Sequence, residues 1–267
     1  TTTANLRLVR VTSPVVYDNI SLRKGELDRS INGQPYEVGG TDYSSGQNAL
    51  KVHGILPKQP VATGAELVSY GPFSTLNRLR QYYNSDLNFE TNDWCIMFWM
   101  YNTGTNSHQT LVSRDNREFD ISILANDTYS RRFRCYADQS GNTSNYFDSN
   151  DDPFPLSTWS HVCVNYTGGN TCSVYVNGVL NKSGALNYDI DDTSNGLNIG
   201  VRNTGGSYAH AADGTKLTLV RISKGAPTAD QVKKIYNDEK CLFNENAKCT
   251  LYGTSDDIKA ITYDESN

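Results

Sequence analysis

Two residues, Asn177 and Gly178, constrain this chain more than any others. They stand between "TCSVYV" and "VLNKSG". Both central positions of the tightest hairpin turn need positive φ, which Asn and Gly supply with least strain. Upstream, in "TWSHVCVNYTGGN", Val162, Val164 and Tyr166 alternate with polar or small residues, and Gly168 and Gly169 permit a first reversal. Val174 and Val176 then resume the alternation. Turn chemistry and strand period agree, so Trp159 to Gly184 reads as two strands on a turn, followed by a tighter Asn-Gly turn.

A fold built round that hairpin needs many more strands, and the composition provides for them. Gly, Asn, Ser, Thr and Tyr are abundant and Met occurs only 2 times in 267 residues, which suits strands joined by tight turns rather than a helical bundle. In "DWCIMFWMYNTG" the apolar residues fall on both parities, so this strand is expected to be covered on both faces. Trp94 and Trp99 have opposite parity within it and should point to opposite faces. "QTLVSRDNREFDISILAND" gives two runs around a polar turn at Asp115 and Asn116, with Phe119, Ile121 and Ile123 sharing one face of the second. "RRFRCYADQ", "LNIGVRN" and "KLTLVRIS" are further strands, and Pro57 and Pro60 place the short strands of "KVHGILPKQPVATGAELVSY" at a sheet edge.

One helix is expected, in "PTADQVKKIYNDEK". Thr228 and Gln231 have capping-box spacing, and Val232, Ile235 and Tyr236 form an apolar stripe that should pack on a sheet. The organisation read from the sequence is an extended N-terminal arm over 1–45, an all-β domain over 46–240 and a C-terminal extension over 241–267 that resembles the start of a further module. Within the arm, Leu6 to Val11 is strand-like and is expected to pair with a sheet edge, of its own chain or of a neighbouring subunit.

Several function classes are set aside. The net charge of −5 is spread along the chain, without the basic face of a nucleic-acid binder. No apolar run approaches the roughly 20 residues needed to cross a bilayer. The six cysteines include no C-x-x-C pair and several lie within apolar runs, which points to reduced, buried thiols. The first residue is Thr1, read as a processed or excised end. The four histidines carry no Cys-His or Ser-His-Asp signature.

The order of these parts carries a resemblance. "DWCIMFWMY", "TLVSRD", "TWSHVCVNYTGGNTCSVYVNGV", "LNIG", "DGTKLTLVRIS" and "TADQVKKIYND" together resemble the concanavalin-A-like jelly roll of laminin-G-like and pentraxin-like modules. The resemblance implies a two-sheet antiparallel sandwich with one short C-terminal helix, packed across one edge. "KVHGILPKQPVATGAELVSYGPFSTLNRLRQYYNSDLNFETNDWCIMFW" is similar to the laminin-G-like module of bacteriophage virion proteins, tail-fibre-like and appendage proteins in particular. It implies a non-enzymatic virion protein for host-surface glycan recognition or assembly, with itself or other virion proteins as partners. A secreted lectin-like module outside a virus is the alternative, with an extracellular location.

Glucanases of the same architecture place Glu-x-Asp-x-x-Glu on one strand. Here Glu118 and Asp120 occupy the first two positions and Ile123 the last, so no glycosidase activity is expected, and the two acids are read as a solvated face. The candidate glycan-binding residues are Trp94, Trp99, Arg114 and Tyr136, with one tryptophan in the core and the other on an open face. The resemblance also implies calcium, for which the candidate ligands are Asp115, Asn116, Asp148, Asp151 and Asp152. The apolar second face of 94–101 and the arm are the expected oligomer contacts.

Overall fold

The computed structural model describes residues 50–89, 92–104, 108–126, 129–137, 145–186 and 195–245. The arm, its Leu6 to Val11 strand and most of the C-terminal extension lie outside the described residues. The first strands are β1 (Lys51–His53), β2 (Lys58–Pro60), β3 (Val68–Tyr70), β4 (Arg78–Gln81) and β5 (Trp94–Asn102). Next come β6 (Gln109–Arg114), β7 (Phe119–Asn126), β8 (Tyr129–Ala137), β9 (Tyr146–Asp148), β10 (Trp159–Thr167) and β11 (Thr171–Val176). β12 (Val179–Ala185), β13 (Leu197–Ile199), β14 (Arg202–Thr204), β15 (Ser207–Ala209) and β16 (Thr215–Lys224) precede the helix α1 (Ala229–Glu239).

Two seven-stranded sheets result. Sheet I has the order β1-β4-β13-β6-β7-β8-β9, and sheet II the order β12-β11-β10-β5-β16-β3-β2. All their strand pairs are antiparallel. The expected all-β sandwich is present. Pro60 sits in β2, the last strand of sheet II, where its missing N–H costs no ladder bond. Asn177 and Gly178 have φ of 51° and 76°, the double positive φ that the sequence called for. The Asn177 side chain also accepts from His161 N at 2.9 Å, tying the turn to the start of β10.

The core lies between the sheets. Ile96, Phe98 and Met100 of β5 meet Phe119, Ile121 and Ile123 of β7 and Val162 and Val164 of β10 in one cluster. Trp94 belongs to it and stacks on Tyr166, Phe89 and Phe119 at centroid distances of 5.5, 5.6 and 6.2 Å. Each such ring removed from water contributes about 1.5–3 kcal/mol before packing geometry is counted.

The second face of β5 is covered, as expected, but by the chain's own helix. Thr228 accepts from Gln231 N while Gln231 accepts from Thr228 N, so the capping box forms and fixes the start of α1. The helix then lies across the outer face of sheet II rather than along an edge, because its apolar stripe has a matching surface there. Val232 and Ile235 close over Cys95, Met97 and Cys163. Cys95, Cys135, Cys163 and Cys172 are buried free thiols and Cys241 is half-buried. Burial holds the Cys95 thiol pKa well above its ordinary value, reinforced by Cys163, which makes it inert.

Candidate functional site

Alternation along sheet I decides what its outer side presents. With Leu79, Ile121, Phe133, Cys135 and Phe147 turned into the core, the residues between them turn outward. Arginines and tyrosines dominate them, with Asp120, Ser122 and Asp148 among them. Arg134 lies over Tyr146 at 3.8 Å and Arg117, from the 3-10 turn before β7, lies over Tyr136 at 3.7 Å. Toward the β1 edge of the same face Arg78 lies over Tyr208 at 3.6 Å. These are cation–π distances, and they hold rings and guanidinium planes in fixed orientation.

No helix packs here among the described residues. Instead the hairpin β14–β15, turned at Gly205 and Gly206 with φ of 58° and 88°, folds over the middle of the sheet. Asp115 fastens it: its carboxylate accepts from Asn203 of the hairpin at 2.5 Å, Asn198 of β13 at 2.7 Å and Arg80 of β4 at 2.8 Å. Asn116 accepts from Gly205 N at 3.0 Å. Tyr208 accepts from Arg80 on the far side.

Beneath the hairpin and beside β8 lies Asp120, which is 1% exposed. Ser122 donates to it, and Thr110 Oγ1 lies 3.4 Å away. Arg202 of β14 and Arg117 stand over the same carboxylate at 3.7 and 4.0 Å. Burial pushes the Asp120 pKa up, while the Ser122 hydrogen bond and the two guanidinium groups pull it down. His108 and His210 stack at 4.4 Å beside them. Burial lowers the His108 pKa to about 3, and the charges of His210, Arg202, Arg117 and Arg134 add to the effect. His210 is lowered by burial, then by Arg202 and Arg117. At neutral pH both rings are therefore uncharged. Tyr146, opposite Tyr136 on β9 and 45% exposed, is the open ring beside this cluster.

The residues singled out in the sequence fall elsewhere or serve other ends. Trp94 and Trp99 do face opposite ways, but neither is open. Trp99 stacks on Phe243 at 4.1 Å and Tyr236 at 5.7 Å and donates to Glu239 at 2.8 Å, all beneath the helix layer. Arg114 is wholly buried, bound to Leu87 O at 2.9 Å, Asn88 at 2.7 Å and Glu118 at 2.9 Å. Tyr136 is on the outer face of sheet I but buried, with Arg117 over its ring. Glu118 and Asp120 are both buried rather than solvated, since each carboxylate has guanidinium partners that allow it to leave water.

The five proposed calcium ligands do not assemble into one set. Asp148 is held in a two-pronged pair with Arg134 at 2.7 and 2.8 Å, Asp151 by Arg132 at 2.9 Å and Asp152 by Arg131 at 3.0 Å. Asp115 and Asn116 fasten the hairpin, so protein donors stand where a cation would. Among the described residues no group of three His, Cys, Asp or Glu is arranged to hold a metal ion. These side chains do not fit calcium.

Sequence reasoning missed Arg117, Arg202, His108 and His210. One signal was there: Gly205-Gly206 between "VRNT" and "SYAH" is a hairpin signature as sound as the Asn-Gly pair.

A two-sheet sandwich of this strand order, with a polar, ring-bearing face that no helix covers among the described residues, has the architecture of a concanavalin-A-like domain. The sequence model of the concanavalin A-like lectin/glucanases superfamily, in its laminin G form, matches residues 80–233, more than half of the chain. The protein belongs to that superfamily. No curated protein matches it in sequence. Among solved structures it is similar to the botulinum neurotoxin serotype G binding domain, with a TM-score of 0.55, 15% identity and coverage of 73% of this chain and 48% of that one. The binding domain of Paraclostridial Mosquitocidal Protein 1 gives 0.53, 16%, 72% and 47%. The binding domain of botulinum neurotoxin DC in complex with SialylT gives 0.53, 15%, 73% and 48%. The chain thus spans about half the length of these structures, and at such identities the likeness shows the fold alone.

Proposed function

We propose that this protein is a non-enzymatic recognition module that holds host-surface saccharide on the outer face of sheet I, as part of a bacteriophage virion protein of tail-fibre or appendage type. The observation that carries the binding reading is the row of arginine–tyrosine pairs on that face, in which Tyr146 is 45% exposed. Sugar hydroxyls take hydrogen bonds from such donors, and pyranose faces pack on exposed rings. The virion assignment rests on the likeness of the segment from Lys51 to Trp99 to phage modules.

A non-catalytic role is part of the proposal. Glycoside hydrolysis needs two carboxyls, about 5–5.5 Å apart for retention and about 6.5–9.5 Å for inversion. Asp120 is buried beneath Arg117 and Arg202, Glu118 is engaged by Arg114 and Asn195, and Ile123 faces the core. Assembly with other virion proteins, or with copies of itself through residues 1–45, belongs to the same reading. The outer face of β5 contributes no interface to it, because α1 covers that face.

The test is a glycan array probed with the whole protein and with Tyr146→Ala. Binding to a subset of surface glycans is expected, weakened about tenfold in the variant, equivalent to about 1.4 kcal/mol. An array without signal would overturn the reading, as would turnover of a bound glycan lost in Asp120→Asn.

A further inference from the structure

A strand at the edge of a sheet carries unpaired backbone groups that something must blunt or cover. In sheet II, β2 has Pro60, which lacks an N–H. At the other edge Asn150 closes over β12: its side chain donates to Asn181 O at 2.6 Å and its N–H to the Asn181 side chain at 3.0 Å. β1, at one edge of sheet I, is different. Val52 stands opposite the core residue Leu79 and so turns to the inner side of the sheet, yet it is 52% exposed. Just beyond, Ile55 donates its N–H to Asn77 at 3.0 Å, and Ile55 and Leu76 are 88% and 76% exposed. The sandwich is open at this corner, and the opening is apolar.

The outer side of the same edge is cationic. Lys51 stands opposite Arg80, and His53 opposite Arg78. Arg80 pairs with Asp115 at 2.8 Å, but among the described residues no carboxylate pairs with Lys51 or Arg78. Lys51 lies over Tyr82 at 5.2 Å instead. An added strand therefore has to offer apolar side chains inward and an acid outward. A second copy joined edge to edge would set the same cations against one another. The stretch that leads into β1 has the required pattern. Residues 30–49, "SINGQPYEVGGTDYSSGQNA", carry Glu37 and Asp42 and no Lys or Arg. Tyr36 and Val38 flank Glu37, apolar on one parity and acidic on the other. With Glu37 opposite Lys51, antiparallel register sets Tyr36 opposite Val52 and Val38 opposite Leu50, which packs on the core. Gly39, Gly40 and Gly46 lie in the connection, where the chain has to reverse.

We propose that the β1 edge of sheet I is a docking site for this chain's own residues 36–38, which add to it as an antiparallel strand. Tyr36 and Val38 close the sandwich over Val52 and Leu50, and Glu37 answers Lys51 on the outer side. The inference is independent of the saccharide reading. It removes β1 from the edges on which another copy could assemble.

The experiment is hydrogen exchange of the full chain, read by mass spectrometry on the peptide that contains β1. Alternate residues of β1 bond to β4, and the rest turn their amides outward, where only an added strand protects them. Those outward amides should exchange slowly in the unaltered protein. Glu37→Lys and Lys51→Glu should each speed their exchange about tenfold, and the two together should restore it to within about threefold. A second arm oxidises the full chain carrying Tyr36→Cys and Val52→Cys and maps the linked peptides, with a link inside one chain expected. Outward amides that exchange at the rate of an unfolded peptide, or that ignore Glu37→Lys, would sink the proposal. A covalent dimer would give the edge to a neighbouring copy and overturn it as well. Glu37→Lys touches no residue of the core, so it stays informative if the cysteine pair fails to fold.

Discussion

Sheets I and II are built alike, seven antiparallel strands each, yet their outer faces meet opposite ends. β5 and β10 put Cys95, Met97, Trp99 and Cys163 outward, and the helix α1 covers them. β7 and β8 put Asp120, Ser122, Arg134 and Tyr136 outward, and among the described residues a short hairpin is what crosses them. An apolar face must be covered for the fold to persist, whereas a polar face with its charges paired can stay open. What alternates outward along a strand therefore decides whether a sheet face becomes core or surface.

The sharpest way to break this contrast is to delete the anchor of the covered face. Trp99→Ala should cost about 3–5 kcal/mol, the range for losing a fully buried large ring. Urea denaturation measures it, and a loss below 1 kcal/mol would mean α1 does not depend on its contacts with sheet II. Next comes the turn under the helix. A Cβ on Gly178 would lie 3.0 Å from Lys233 Cα, and φ there is 76°, so Gly178→Val should cost about 1–3 kcal/mol or somewhat more. An unchanged denaturation midpoint would refute the packing of that turn against α1.

Acid should open the covered face. His161 lies under Trp99 and Tyr236 with neither ring nitrogen hydrogen-bonded, and burial lowers its pKa from 6.5 to about 3. A depressed histidine favours the neutral form in the fold, so its contribution is complete above pH 6.5 and is lost progressively as pH falls toward 3. His108 acts in the same direction on the open face. His161→Phe should flatten the acid limb of a stability–pH curve, and an unaltered limb would exclude His161 as its cause. The smallest effect belongs to the open face: Tyr146→Ala should change stability by no more than about 0.5 kcal/mol. A larger loss in thermal melting would make that face structural.

How much of this was legible follows the length over which each rule acts. Asn177-Gly178, the Thr228 capping box and the double-sided β5 are local patterns, and each appears in the fold as read. β4, β9, β14 and β15 span three or four residues, too few for a period to emerge. The sequence said that β5 would be covered but not by what, since Glu239 meets Trp99 across 140 positions. The cluster round Asp120 was invisible for the same reason. Asp115 looks like a calcium ligand until Asn198 and Asn203, more than 80 residues on, occupy its oxygens. Acids on strands read as solvated unless their arginines are known.

The helix lid has a consequence for how the protein is made. Sheet II is complete in sequence only when β16 ends at Lys224, and its cover runs on to Phe243. At synthesis rates of about 5–20 residues per second, the finished sheet waits roughly one to four seconds for its lid. During that interval Trp99, Met97 and the neighbouring thiols lack their cover. A chain truncated after Gly225 would make that exposure permanent.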